Sequence, residues 1–211
     1  MQAHAAIISF FSLVFTVSDL RAQNTVPADS AGVVLVINAC DPNGFHARKK
    51  KEALFMELAD TLNVYLSDNL QTRYGFTVKP LQLRIPDDGN RNAVVDSLLT
   101  AYQAGYAVLF DSLDVFFQQT RVDVSGTKGN KERIAYYDIC ADIHYLLFSP
   151  GKMLKTDMNK TREFFTTRKV ISGLLAAGPD IVSKKKHAIE MMEKNAHGFL
   201  WGIETYLPPG H

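Results

Sequence analysis

Cysteine, tryptophan and surplus charge are scarce in this chain, which has 2 Cys and 1 Trp among 211 residues and a formal net charge of +1 at pH 7. So little positive charge argues against nucleic acid as the main partner, because phosphate recognition needs a basic surplus. Beyond residue 17 no apolar run approaches the roughly 20 residues that a helical membrane span requires, so no transmembrane segment is expected in the mature chain. Segment 41–51 (DPNGFHARKKK) holds a single glycine, which excludes both the dinucleotide fingerprint and the phosphate loop ending in Lys-Ser/Thr. Ser172-Gly173 lacks the flanking glycines of a nucleophile elbow, so a serine hydrolase of that kind is unsupported. Asp88, Asn90 and Asn92 open like a calcium loop, but Ala93 stands where glycine is required and Leu99 where the closing glutamate belongs. A polar turn capping the next helix accounts for them. No cofactor is expected, and there are no internal repeats or low-complexity linkers.

Residues 5–17 (AAIISFFSLVFTV) form an apolar run short for a membrane span, and Ala22 offers a small residue for cleavage before Gln23. This pattern predicts an export signal over 1–22, then a flexible N-terminal segment over 23–31 and a single α/β domain over 32–207. The n-region holds no Lys or Arg, only His4. No Cys follows the cleavage point, so a lipid anchor is not expected. The mature protein is then periplasmic or secreted.

With 46% hydrophobic residues the chain has ample material for a core. Residues 32–39 (GVVLVINA) are nearly continuously apolar, as in a strand covered on both faces. Over 52–70, Leu54, Leu58, Leu62, Tyr65 or Leu66, and Leu70 share a helical stripe that Tyr74-Gly75 ends. Residues 76–84 (FTVKPLQLR) read as a strand that Pro80 places at an edge or a bulge. Asn90 or Asn92 caps a helix running to about Tyr102, and 105–113 (GYAVLFDSL) reads as a third strand. Segments 114–125 and 131–148 flank the turn-rich 126–130 (GTKGN) as the two long strands of a hairpin. Residues 152–157 and 161–167 suggest one or two shorter strands. Two helices follow: 168–178 (RKVISGLLAAG), broken by Gly178-Pro179, and about 181–206, with Ala188, Met192, Ala196, Phe199 and Ile203 on one face. The order β-α-β-α, then hairpin, then helices predicts an α/β (α+β) fold: one mixed β-sheet with a right-handed first crossover and C-terminal helices packed on it.

The stretch 136–147 (YYDICADIHYLL) sets Asp138, Cys140, Asp142 and His144 at alternate positions, all of types that bind metals. In a strand these four point one way and Tyr137, Ile139, Ala141, Ile143, Tyr145 and Leu147 the other, which a half-buried antiparallel strand produces with no metal at all. Ligands two apart on a strand sit roughly 6.5 to 7 Å from one another, so a metal would need help from a neighbouring element, such as Asp114, Asp123 or His46. In an exported chain Cys40 and Cys140 raise a disulfide, which forms only if their strands are neighbours with facing Cβ atoms.

The segment after the first strand is where α/β sheets often place ligands. Its Asp41, Asn43, His46, Arg48, Lys49 and Lys50 are candidate binding residues for an anion or acidic partner; the bland alternative is a solvated loop before a helix starting near Glu52. Cations in a helix's first turn oppose its dipole by a few tenths of a kcal/mol each. The small residues of GLLAAG (173–178) suit close helix packing or an interaction groove. Lys184, Lys185 and Lys186 read as the exposed face of the last helix.

On the residues RIAYYDIC (133–140), TTRKVISGLLAAGPDIV (166–182) and the signal-bearing first strand, the chain resembles a family of small secreted envelope proteins of Gram-negative bacteria, a family without an assigned activity. In element order and in YLLFSPGKML (145–154) it is also similar to the N-terminal domain of the translocation protein TolB and to small envelope-assembly lipoproteins. Two functions are open. One is a non-enzymatic binding or accessory protein of the cell envelope with an envelope protein as partner. The other is a metal-binding protein or metal-dependent hydrolase built on Asp138, Cys140, Asp142 and His144.

Overall fold

A computed structural model describes residues 32–41, 49–85, 89–126, 132–170 and 178–207, with backbone alone at 49, 50, 169 and 170. Strand β1 (Val33–Asn38) leads into helix α1 (Lys49–Tyr74), strand β2 (Thr77–Gln82), helix α2 (Arg91–Ala101), and three long strands, β3 (Tyr106–Ser125), β4 (Glu132–Ser149) and β5 (Lys152–Val170). Helix α3 (Lys185–Ile203) follows, with a short 3₁₀ turn at each end. All five strands form one mixed sheet in the order β2-β1-β3-β4-β5. β1 is parallel to β2 and β3, and the β3–β4 and β4–β5 pairs are antiparallel.

The expected mixed sheet is thus present, with three changes of detail. The segments 105–113 and 114–125 are one strand: a bulge between Phe110 and Ser112 inserts Asp111 into β3. That extra residue lets Phe110, Leu113 and Val115 share one face although the strict two-residue alternation fails there. β5 is likewise continuous, and its end reaches Val170, so Arg168, Lys169 and Val170 are strand rather than helix. Segment 171–177, carrying most of GLLAAG, lies outside the described residues. Helix α1 begins at Lys49, so Lys49, Lys50 and Lys51 occupy its first turn and not a loop, with Glu52 there to offset them.

Face assignment follows from the pleat. On one face Val34, Val36, Val108, Ile139, Ala141, Ile143 and Tyr145 pack under α1 and α3. The α1 stripe foreseen at Leu54, Leu58, Leu62, Leu66 and Leu70 is buried, as is the α3 stripe of Ala188, Met192, Ala196, Phe199 and Ile203. On the other face Leu35, Ile37, Ala107, Leu109, Leu146 and Phe148 pack under Val95 and Leu99 of α2. β1 is therefore covered on both faces, which explains its continuous apolar run. Pro80 sits in β2 at the sheet edge, where its missing N–H costs least.

β1 stops at Asn38, opposite Phe110, whereas β3 continues to Ser125. Beyond that point the sheet is a three-stranded arm.

Inside the core Asn195 of α3 is fully buried and meets the sheet through its amide. Its Nδ2 donates to the carbonyls of Ala141 and Asn159, at 2.9 and 2.8 Å, and its Oδ1 accepts from the Tyr145 hydroxyl at 3.1 Å. Asn159 Nδ2 returns a bond to the Asn195 carbonyl at 2.6 Å. Tyr145 also stacks on Phe199, with ring centroids 4.2 Å apart and planes 10° from parallel.

Candidate functional site

The alternation in β4 places Asp138, Cys140, Asp142 and His144 on the face away from α1 and α3. The structure spreads them over four neighbourhoods instead of gathering them. Asp138 lies opposite Gln118 of β3 and Phe164 of β5. The Cys140 thiol donates to Gln118 Oε1 at 3.8 Å, and Arg162 Nη2 donates to that same oxygen at 2.6 Å. Asp142 pairs with Lys160 at 3.5 Å and faces Asp114 across the β3–β4 ladder. His144 turns toward Asp111. Among the described residues no three His, Cys, Asp or Glu side chains come together as a metal site would require.

His144 belongs to a polar cluster that joins four elements. Asp111, the bulge residue of β3, takes Arg91 Nη1 of α2 on Oδ2 at 2.8 Å and His144 Nδ1 on Oδ1 at 2.7 Å. His144 Nε2 lies 3.0 Å from the hydroxyl of Thr156 on β5. Nδ1 donates to the carboxylate, and Nε2 shares a hydrogen bond with the Thr156 hydroxyl, which can donate or accept. The side chains of Arg91, Asp111 and His144 are 14, 15 and 25% exposed. A carboxylate, an imidazole and a hydroxyl in series are the connectivity of a base and its orienting group. Here the series fixes the first turn of α2 to three strands. Arg91, Asp111 and Thr156 escaped the sequence reading because they are far from His144 in the chain. Only the break in alternation at Asp111 marks the spot.

The electrostatics of the open face are mixed. Burial, and then the neighbouring Asp142, hold the Asp114 carboxyl above its usual range, with Lys51 pulling the other way. Burial raises the Cys140 thiol, opposed by Arg162 and aided by Asp138 and Asp142. Neither cysteine is bonded. Cys40 packs toward the α1 and α3 core while Cys140 looks out from the other face, and β3 lies between their strands. The condition for a disulfide, adjacent strands with facing Cβ atoms, is therefore not met. Burial, with the charge of Asp111 adding to it, pushes the Cys40 thiol up to about 12.

At the carboxyl ends of β1 and β2 a crevice of about 160 Å³ opens against α1, lined among others by Asn38, Cys40, Phe55, Met56, Gln82 and Arg84. Asn38 shapes its floor: its carbonyl accepts Leu83 N–H at 3.0 Å and its Oδ1 accepts Cys40 N–H at 3.1 Å. Asp41 meets Arg84 at the rim, 2.7 Å away. Of the other candidate binding residues, Asn43, His46 and Arg48 lie outside the described residues, and only the backbone of Lys49 and Lys50 is described, in α1.

No helix among the described residues is long and apolar enough to cross a membrane. No protein-family model and no curated protein matches the sequence. Among solved structures the chain is similar to a homologue of the neuraminyllactose-binding hemagglutinin from Helicobacter pylori, with 14% identity and a TM-score of 0.41 over 84% of this chain and 86% of that one. It is also similar to rare lipoprotein B from Shewanella oneidensis, with 8% identity and a TM-score of 0.35 over 82% of this chain and 98% of that one. A hypothetical protein of Chlamydia trachomatis matches at 14% identity and a TM-score of 0.35, over 83% of this chain and 97% of that one. Likeness of this degree carries no argument about the site.

Proposed function

We propose that this chain is an exported, non-enzymatic binding or accessory protein of the bacterial cell envelope. One observation carries the reading. The three-stranded arm presents Asp114, Phe116, Asp142, Arg162 and Phe164 side by side on a face where Asp142 pairs with Lys160, Arg162 bonds Gln118 and no set of groups converges on a reaction centre. Phe164, at 64% exposed, is an apolar anchor set among charges, the composition of a contact surface rather than of a solvated one. The N-terminal apolar segment with its cleavage point supplies the export half of the proposal. The segment after β1, with Asp41, Asn43, His46, Arg48, Lys49 and Lys50, is the second contact surface in this reading. The resemblance in element order to the TolB N-terminal domain would make the chain a subunit beside a larger envelope assembly. A metal on Asp138, Cys140, Asp142 or His144 would have to draw ligands from residues 42–48 or other segments outside those described; native mass spectrometry of chelator-free protein tests that.

The full chain should be expressed in a Gram-negative host, fractionated, and its N-terminus read by mass spectrometry. A photo-crosslinking residue placed at Phe164 is compared in the same cells with one at Val64, which is 59% exposed on α1. Cleavage after Ala22 and an envelope protein crosslinked from position 164 but not 64 would support the proposal. An unprocessed cytoplasmic chain would sink its export half, and equal crosslinking at both positions its binding half.

A further inference from the structure

The sheet has three edges, and two of them carry the Pro or the row of cations that keeps strands from pairing with other chains. β2 has Pro80 with Lys79 beside it, and β5 is lined with Lys152, Lys155, Lys160, Arg162 and Arg168. The third edge is the outer side of β3 beyond Phe110, where β1 has ended and no strand lies alongside among the described residues. From Asp111 to Ser125 this edge contains neither Pro nor Lys. Val122 and Val124 on it are 40 and 55% exposed. Bulges at Asp111 and Thr120 interrupt the first part of this edge, and the stretch from Arg121 to Ser125 that follows them, with β-branched residues and neither Pro nor Lys, is the template it offers another strand.

The order of residues on the edge says which strand fits. An antiparallel partner of the same sequence, centred on Val122, sets Val122 against Val122 on one face. On the other face it sets Arg121 opposite the second copy's Asp123, and Asp123 opposite the second copy's Arg121. Both direct cross-strand relations are favourable kinds, β-branched on β-branched and opposite charges. The charged pair is already held in place. Arg121 Nε lies 3.1 Å from Asp123 Oδ1, the Tyr136 hydroxyl donates to Asp123 Oδ2 at 2.8 Å, and the Arg121 guanidinium lies 4.1 Å from the Tyr136 ring centroid. Their side chains remain 62 and 47% exposed, so both are open to a second partner and little side-chain freedom is left to lose. We propose that two copies of this chain associate through the outer edge of β3, antiparallel about Val122, to extend the sheet across a two-fold axis. The inference is independent of export and of any envelope partner, since it concerns the purified chain alone.

The test compares the solution mass of the full chain with that of its Asp123→Arg and Arg121→Asp variants, by light scattering across a concentration series. The expected result is twice the chain mass for the parent and the single-chain mass for each variant, which sets like charges opposite one another. An equimolar mixture of the two variants should return to twice the chain mass, because each then supplies the charges the other lacks. Loss of the Arg121–Asp123 contact within one chain cannot produce that recombination. A parent that stays at single-chain mass would overturn the proposal and leave the edge to another segment of the chain or to a different partner. Dimers that persist in both variants, or variants that fail to recombine, would overturn it as well. If circular dichroism shows either variant unfolded, Val122→Cys decides: an interchain disulfide on mild oxidation, absent from the parent, is expected, and its absence refutes the register.

Discussion

Replacing Asn195 by Ala is the most exacting test of how α3 is seated on the sheet. The substitution removes three side-chain hydrogen bonds, two donated to the carbonyls of Ala141 and Asn159 and one accepted from Tyr145. Each is worth about 1 kcal/mol net. The Tyr145 hydroxyl is left without its partner in a fully buried position, a further cost of about 1–3 kcal/mol. The sum is about 4–6 kcal/mol, a large part of the roughly 5–15 kcal/mol that holds a domain of this size together. At about 2–4 °C per kcal/mol, the midpoint should fall by at least 8 °C in a thermal melt followed by circular dichroism. Tyr145→Phe alone should cost about 2–4 kcal/mol, since it removes one bond and leaves Asn195 Oδ1 buried without its donor, while Nδ2 keeps its two acceptors. Combining Asn195→Ala with Tyr145→Phe should then cost less than the two separately, because no orphaned hydroxyl remains. A loss below about 1 kcal/mol for Asn195→Ala, or strict additivity in the pair, would refute the idea that a polar hub locates α3.

Asp111→Ala should destabilise by about 2–3 kcal/mol, since Arg91 and His144 both lose their acceptor in a partly buried place, whereas Thr156→Val should cost under about 1 kcal/mol; urea titration distinguishes them, and equal effects would show that the cluster does not pin α2. Asp114 has its folded-state affinity for a proton raised, so the folded state binds that proton more tightly than the unfolded chain and stability falls as pH rises through the carboxylate range. Asp114→Asn removes that loss, and it should raise stability by about 0.2–1 kcal/mol at pH 7 with no gain at a pH below the ordinary carboxylate range; a variant less stable at pH 7 would contradict the sign. Burial pushes the Cys40 thiol up to about 12 and raises Cys140 too, so neither should react with N-ethylmaleimide in the native protein at pH 8. Intact mass should show two additions only after denaturation, and rapid labelling of either thiol under native conditions would count against these environments.

The elements that could be read from the sequence are those whose apolar period is unbroken. Leu54 to Leu70 at helical spacing and Ala188 to Ile203 in α3 each bury one stripe, and β4 buries every second residue from Tyr137 to Tyr145, with Cys140 alone buried between them. Where the pattern failed, a physical reason interrupts the period. Asp111 adds a residue to β3, so a reader counting by two ends one strand and starts another. In β5 the face beneath α3 is polar: Asn159 reaches Asn195, and Glu163 reaches Lys194. No apolar alternation announces that strand, although it is one of the longest. Lys49, Lys50 and Lys51 disfavour a helix start, and the hydrophobic stripe that follows, docked on the sheet, overrides that local preference.

The candidate site was less legible, because its meaning depends on distance along the chain. Alternation showed that Asp138, Cys140, Asp142 and His144 share a face, and they do. It could not show what stands beside each one, since those partners come from β3, β5 and α2. Gln118 and Arg162 flank the thiol, Lys160 meets Asp142, and Asp111 turns His144 away from the others. Three of the four alternating residues thus meet partners of their own, and Asp138 lies opposite Gln118 and Phe164. The same logic applies to the arm as a whole. Where α2 covers the sheet, the lower face is apolar, with Leu146 and Phe148 of β4 buried. Only a few residues earlier in the same strand, where no described helix lies over that face, its positions become His144, Asp142 and Asp138. The composition of β4 therefore records where its cover ends. Met158 and Phe164 on the face and Val122 and Val124 along the edge remain exposed beyond that boundary, and none of them is covered by another described element.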